Sequence, residues 1–278
     1  MSEPTTTLAG RARPARPQAV LTVAHREQLS PHTVRITAGG PGFDAVRLNE
    51  FTDKYAKIIF VDPGLGLTPP YDLAALRESL PAGRQPVTRT YTLRRADAER
   101  QQLAIDFVVH GDEGIAAPWA ARAEPGDLLA LSGAGGAYRP DPDCAWHLLA
   151  GDESALPAIC SALEALPGDA RGIAYLETCD PGEYLDVVPP SGMEVSWLHR
   201  PVPGRQPGRL AGALLAGPWL AGRADVFAHG ERESMKALRS ALKARLGDGD
   251  QLSLSGYWAS GRTEDVFQSE KRQPAGQI

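Results

Sequence analysis

The chain is poor in cysteine: Cys144, Cys160 and Cys179 are the only three, and their spacing fits neither a disulfide framework nor a zinc cluster. Its six histidines include no HExxH or other paired arrangement, so no protein-bound metal site is expected. No apolar run approaches the roughly 18 residues that a membrane helix needs. The opening MSEPTTTLAGRARPARPQ has no apolar signal core, and a cytoplasmic protein with no membrane partner is expected. Positive charge is not in surplus either. A formal net charge of −5 argues against a nucleic-acid partner. GxGxxG is absent after the strand-like segments, which excludes a tight Rossmann dinucleotide grip.

What the chain does have is glycine and proline, 29 and 24 of them, which mark many turns, and enough hydrophobic residues (42%) for a sizeable core. A length of 278 residues exceeds one ordinary domain, so two are expected. Residues 1–18, rich in Pro, Ala, Thr and Arg, read as a disordered tail. Over 19–140 short alternating runs such as HTVRITAGG, KYAKIIFVDPG and QLAIDFVVHGD are broken by Gly, Pro and Asp, which predicts an antiparallel sheet or barrel. RTYTLRRADAERQQLAIDFVVHG reads as two strands joined by a polar turn, and EGIAAPWAARA as a helix with Pro118 in its first turn. Over 141–278 strands such as WHLLAGD, GIAYLETC and DVFAHG alternate with helical SALPAICSALEAL, GRLAGALLAG and ERESMKALRSALKARL, which predicts a parallel α/β sheet. The last strand, QLSLS, is expected to stop at Gly256, with Tyr257, Trp258 and a polar, charged tail beyond it.

The chemistry-bearing residues cluster in a few segments. In RTYTLRR the alternation puts Arg89 and Tyr91 on one face of a strand and Thr92 on the other: a cation for a phosphate, a flat ring for a ring system, and a hydroxyl for a ring heteroatom. His110 ends the next strand, and the small residues after it would let backbone N–H groups approach a pyrophosphate. GDESALPAI follows the first strand of the second half, at the crevice side of a parallel sheet. Asp152 and Glu153 there would repel a phosphate, and Ser154 reads as a helix N-cap.

Taken in order, KYAKIIF, RTYTLR, DFVVHGDEGIAAPWA, GDESALPAI, VSWLHR, HGERESMKALR and GYWASGRTED resemble the siderophore-interacting protein family, the FAD-dependent ferric-siderophore reductases related to ferredoxin reductases. The resemblance spans most of the chain. It implies an FAD-binding β-barrel followed by an NAD(P)H-binding α/β domain, a ferric-siderophore substrate, NADPH, NADH or a ferredoxin as donor, and a monomer. By that resemblance Arg89 contacts FAD phosphate, with Thr90 beside it, Tyr91 stacks on the flavin and Thr92 lies near its reactive edge, making Tyr91 and Thr92 the catalytic pair. Asp106, Val108 and His110 lie beside the cofactor, and Gly114, Ala116 and Ala117 cradle its pyrophosphate. Gly151, Asp152, Glu153, Ser154 and Glu231 would receive the nicotinamide nucleotide, and Tyr257 and Trp258 would wall the flavin.

The chain departs from the family pattern at two points. GAGGAY puts Gly135, and GYWASGR puts Ala259, where the family commonly has arginines that join Lys57 in a basic patch for anionic chelates. The expectation is a less charged or mixed-ligand siderophore, with Lys57 as substrate contact and Arg139 and Arg262 as compensating cations. The competing readings are a flavin, quinone or redox-protein reductase of the same architecture and a non-enzymatic chelate-binding protein.

Overall fold

The computed structural model describes residues 17–109, 111, 114–183, 187–200 and 207–278; most of the expected tail, and His110, lie outside them. The first half contains β1 (Gln18–Ser30), β2 (Thr33–Gly39), β3 (Tyr55–Phe60), α1 (Leu73–Ser79), β4 (Val87–Thr92), β5 (Arg95–Asp97), β6 (Gln102–Val108), α2 (Ala116–Arg122) and β7 (Leu128–Gly135). The strands form one antiparallel sheet of order β4-β3-β7-β1-β2-β6-β5. It curls into a barrel-like shape. Tyr91 on the edge strand β4 lies 4.4 Å, ring to ring, from Phe107 on β6 near the opposite edge. Alternate residues fill the interior, among them Leu21, Ile36, Ile58, Leu103, Ile105 and Leu131, all fully buried. This is what the period-two pattern requires of strands with one face on a core.

RTYTLRRADAERQQLAIDFVVHG forms three strands rather than the expected two. The chain turns inward at Leu93 and Arg94, and Arg94 reaches across to α3 (Leu156–Ala165), where its guanidinium makes two bonds of 2.8 and 2.7 Å to Glu164. Tertiary pairing breaks a run that alternation alone reads as continuous.

The second half adds β8 (Trp146–Asp152), α3, β9 (Arg171–Thr178), β10 (Gly192–His199), α4 (Arg209–Ala216), β11 (Ala224–Glu231), α5 (Arg232–Lys243), β12 (Gln251–Trp258) and α6 (Glu264–Glu270). Its sheet is parallel, in the order β10-β9-β8-β11-β12. The central strands β8 and β11 are buried along their whole length, as expected for strands covered on both faces. Leu148 and Val226 face α4 and α5, while Leu149 and Phe227 face α3. β12 does not stop at Gly256: Tyr257 and Trp258 are its last two residues, Trp258 pairing with Glu231 of β11 and Tyr257 standing at the register shift between the two pairs.

Two helices have no counterpart in the sequence pattern. α1 buries no side chain and is held by Asp72, which caps the N–H groups of Ala74 and Ala75. α6 is capped by Thr263 and anchored by Phe267, which is 1% exposed. One end of α6 bonds the barrel, through Glu264 to Thr90 and Asp265 to Arg89; the other bonds α5, through Glu270 to Arg232. The cleft between the sheets is thereby bridged on one side by the chain's own C-terminal helix.

Candidate active site

A cavity of about 620 Å³ opens between the two sheets. On its barrel wall lie Lys57, Thr90, Tyr91, Thr92, Asp106 and Val108. The α/β wall supplies Glu153, Ser154, Arg200, His229, Tyr257 and Trp258, and α6 adds Glu264 and Gln268, with Lys271 just beyond it. The structure thus brings together ten of the residues singled out from the sequence, drawn from segments as far apart as 57 and 258. Its volume falls within the range of small-molecule and cofactor sites, roughly 300 to 1,000 Å³.

β4 forms the key edge. It pairs with β3 on one side only, so the N–H of Thr90 points outward; it donates to Glu264 at 3.1 Å, and the Thr90 hydroxyl donates to the same carboxylate at 2.7 Å. Tyr91 packs its ring on Phe107, and burial pushes its hydroxyl pKa up, with Glu264 adding to the effect. Arg89 stands just outside the cavity lining, its guanidinium bonded to the Thr88 carbonyl at 2.9 Å and to Asp265 at 3.3 Å. Asp106 faces the cavity but is held in a buried two-bond pair with Arg35, both bonds 2.7 Å.

Across the cleft Tyr257 stacks edge-on against His229 at 4.9 Å. Burial raises the Tyr257 hydroxyl pKa, Asp53 adds to it, and the hydroxyl of Thr92, on the barrel's RTYT strand, opposes it. Burial first, and the Lys271 ammonium second, lower the His229 pKa to about 3, which keeps the imidazole neutral at ordinary pH.

Several of the expected site residues have structural duties. Asp152 does not line the cavity: one carboxylate oxygen accepts from the Ser154 N–H (3.0 Å) and hydroxyl (2.5 Å), the other from the Glu231 N–H (2.8 Å) and the Trp258 indole (2.9 Å). The expected N-cap role of Ser154 is not realised. Its hydroxyl is spent on Asp152, and α3 begins one residue later, at an Ala155 cap with no side-chain bond. A side chain at Gly151 would meet Ala155 and the His229 carbonyl at 2.6 Å, so this glycine permits close packing of β8 against its neighbours. Glu153 bonds Arg200 at 2.5 Å and the Cys179 N–H at 2.6 Å; burial raises its pKa, but the Arg200 contact outweighs that and leaves it lowered.

Glu231 caps α5, accepting from the N–H groups of Glu233 (2.8 Å) and Ser234 (3.0 Å), and ties the loop after β12 through Ser260 at 3.2 Å. Replacing it with alanine removes a cap and a helix-dipole partner together. The expected loss is about 1 to 2 kcal/mol in thermal or denaturant unfolding.

Gly114 has φ +82 and open space where a side chain would stand, and Ala116 and Ala117 begin α2; these three lie off the cavity lining. Arg139 pairs with Glu50 and Arg262 with Glu270, and neither faces the cavity. At position 135 the Tyr55 ring covers the glycine, within 2.3 Å of where a side-chain carbon would be. Ala259 is 2% exposed.

Comparison with known proteins assigns this arrangement. Residues 22–138 match the model of a siderophore-interacting FAD-binding domain, and residues 144–261 that of a siderophore-interacting protein. The chain belongs to the siderophore-interacting protein family. An uncharacterized protein of Mycobacterium tuberculosis is 42% identical over 274 residues, covering 94% of this chain and 96% of that protein. The ferric vibriobactin reductase ViuB of Vibrio cholerae is 38% identical over 197 residues, covering 67% and 70%. The NADPH-dependent ferric-chelate reductase of Escherichia coli is 37% identical over 148 residues, covering 52% and 56%. Among solved structures, the siderophore-interacting protein SipS of Aeromonas hydrophila superposes with TM-score 0.76 at 28% identity, covering 92% of this chain and 97% of that one. A siderophore utilization protein from T. fusca gives TM-score 0.74 at 35% identity, covering 89% and 94%.

The cofactor of this siderophore-interacting family member is FAD, and the residues present suit it. Tyr91 and Thr92 line the cavity from the barrel wall and Tyr257 and Trp258 from the α/β wall, and the cavity has the size of a cofactor site. Lys271 and Glu264 were not legible as site residues. They sit beyond the matched domain, in a segment whose place follows from α6 packing back across the cleft.

Proposed function

We propose that the protein is an FAD-dependent ferric-siderophore reductase that takes electrons from NAD(P)H and delivers them to the iron of a chelate, in the cytoplasm. The observation that carries the reading is the cavity itself, where the RTYT edge of the barrel faces Tyr257 and Trp258 of the α/β sheet. Reduction is a release step. Fe(III) is a hard ion gripped by oxygen chelators, and Fe(II) is held far less tightly, so one electron frees the metal for softer ligands. Each NAD(P)H gives two electrons and a proton, so two ferric chelates are reduced per nicotinamide oxidised. Bound FAD supplies the relay between a two-electron hydride donor and a one-electron acceptor.

The protein's own part is position and exclusion. Tyr91 offers a ring fixed by Phe107, and Arg89, bonded to Asp265 at 3.3 Å, would serve a phosphate of the cofactor once released from that carboxylate. Thr92 and Tyr257 line the cavity from its barrel and α/β walls, where they would flank the flavin's reactive edge. His229 is held neutral, and no described group is needed as an acid or base in the electron steps.

The test is anaerobic. Purified protein should carry releasable FAD and bleach with NADPH, NADH or a reduced ferredoxin, each tried in parallel. Mixing the bleached protein with ferric chelates should restore the yellow colour and yield Fe(II) trapped by a ferrous-specific chelator. Recovery of colour only with quinone or free flavin would make it another kind of flavin reductase. A flavin that no donor bleaches would leave a chelate-binding protein.

A further inference from the structure

The two halves of the chain face each other across the cavity, and α6 is not the only place where they are tied. The turn between β1 and β2 carries Ser30, Pro31, His32 and Thr33, and the loop after β9 carries Asp180, Gly182 and Glu183. The buried Glu183 takes three hydrogen bonds from the barrel turn. One carboxylate oxygen accepts from the Ser30 hydroxyl at 2.6 Å and the Thr33 hydroxyl at 3.1 Å, the other from the His32 N–H at 3.3 Å. His32 and Asp180 pair at 3.6 Å beside them. Gly182 lets the two turns close, since a side-chain carbon there would stand 3.1 Å from the Pro31 ring.

This clasp backs onto the cavity wall. A second cavity of about 30 Å³ lies among Ser30, Thr33 and Glu183, and it shares Asp106, Glu153 and Pro157 with the large one. Each wall is held firmly by itself: Asp106 by Arg35, two residues past Thr33 on β2, and Glu153 by Arg200. Glu153 also accepts from the N–H of Cys179, at the start of the Glu183 loop. The loop is thus a strut with one end on the cavity wall and the other on the barrel. Halves of a chain joined by a polar interface move relative to each other by default, and such a strut sets the width of the gap between them.

Building on the NAD(P)H-to-FAD reading, we infer that Glu183 is a positioning residue for that hydride transfer: its grip on the β1–β2 turn holds the GDES wall at the separation from the barrel at which nicotinamide and flavin react. Glu183 does not line the large cavity, so it acts through the walls. Hydride transfer is steep in distance, a misplacement of about 1 Å costing on the order of 100-fold, whereas binding of either cofactor rests on surfaces that the clasp leaves intact. What the clasp needs is hydrogen-bond geometry rather than charge. An amide in place of the carboxylate accepts from the His32 N–H and donates to the two hydroxyls, which turn to receive it. Glu183 belongs to no motif of the sequence because its partners lie 150 or more positions away.

Anaerobic stopped-flow reduction of the FAD-loaded, full-length protein provides the test. In Glu183→Ala the limiting rate of flavin bleaching at saturating NADPH or NADH should fall roughly ten- to a hundredfold, while the half-saturating concentration and the affinity for FAD stay within about twofold of wild type. Bleaching by dithionite, which needs no docked nicotinamide, should not change. Ser30→Ala/Thr33→Val releases the clasp from the barrel side and should give the same loss, with none added when it is combined with Glu183→Ala. Glu183→Gln should restore the rate. Hydrogen exchange supplies a readout independent of turnover: the His32 amide should lose protection in Glu183→Ala and keep it in Glu183→Gln. A wild-type limiting rate in both clasp-breaking variants, or an equal slowing with dithionite, would overturn the positioning role and leave the reductase reading standing. Failure of both nucleotides to bleach the wild-type flavin would instead remove the donor reading beneath it, and the positioning role with it.

Discussion

Replacing Asp152 with alanine lowers stability by about 3 kcal/mol or more. In a chain of this size that is a drop of roughly 6 to 12 °C in the thermal midpoint. The reason lies in what its two oxygens do. Asp152 is 4% exposed and accepts four hydrogen bonds, two from Ser154, one from the Glu231 N–H and one from the Trp258 indole. It ties the C-terminal ends of β8, β11 and β12 together below the cavity floor. Truncation leaves the buried Glu231 N–H without its acceptor, at about 1 to 3 kcal/mol, and frees the part-buried donors of Ser154 and Trp258 that hold the three strand ends together. Asparagine is no remedy: an amide has one accepting oxygen, and its NH₂ would face donors where the carboxylate now accepts. Asp152→Asn should therefore also lose stability, by less than alanine. Thermal unfolding followed by circular dichroism gives the answer. A wild-type midpoint combined with a selective loss of NAD(P)H binding would make Asp152 the nucleotide contact that its place in GDES suggested.

That contrast marks where the sequence was readable. The sheets followed from period: alternating runs made the antiparallel barrel, and continuous apolar runs such as WHLLAGD made fully buried parallel strands. Tyr91, Thr92, Tyr257 and Trp258 were legible as motif residues, and all four line the cavity. GDES misled, because Asp and Ser at a strand end look the same whether they face a ligand or each other; only the neighbouring strand ends, distant in sequence, decide it. α6 was unreadable for a different reason. Of EDVFQSE only Val266 and Phe267 are apolar, too few for a periodic stripe, and the helix exists because Phe267 finds a pocket beside Gly256. Its two polar contributions to the cavity, Glu264 and the following Lys271, come with it.

Loss of the Tyr91 ring should cost the protein its flavin: in Tyr91→Ala the affinity for FAD falls about 100-fold or more, equivalent to roughly 2.7 kcal/mol. The ring is not a loose side chain waiting for a ligand. It packs on Phe107 at 4.4 Å with a 39° tilt, and Phe107 packs in turn on Trp119 at 5.6 Å, so the surface offered to the cavity is backed by the barrel core. A preset aromatic surface binds a planar ring system without a cost in side-chain ordering, and its removal forfeits both contact area and that rigidity. Tyr91→Phe keeps the ring and should retain most of the affinity. Arg89→Ala should fall between them, because Arg89 must first leave Asp265, at 3.3 Å, before it can serve a phosphate. The affinities come from the fluorescence regained as FAD is released on dilution. The unfolding midpoint of each apoprotein, measured alongside, separates a binding loss from the about 2 to 3 kcal/mol that an emptied space beside Phe107 costs in stability. Equal FAD affinity in Tyr91→Ala and wild type would move the flavin off this face of β4, and Thr92 and Tyr257 would then no longer stand at its reactive edge.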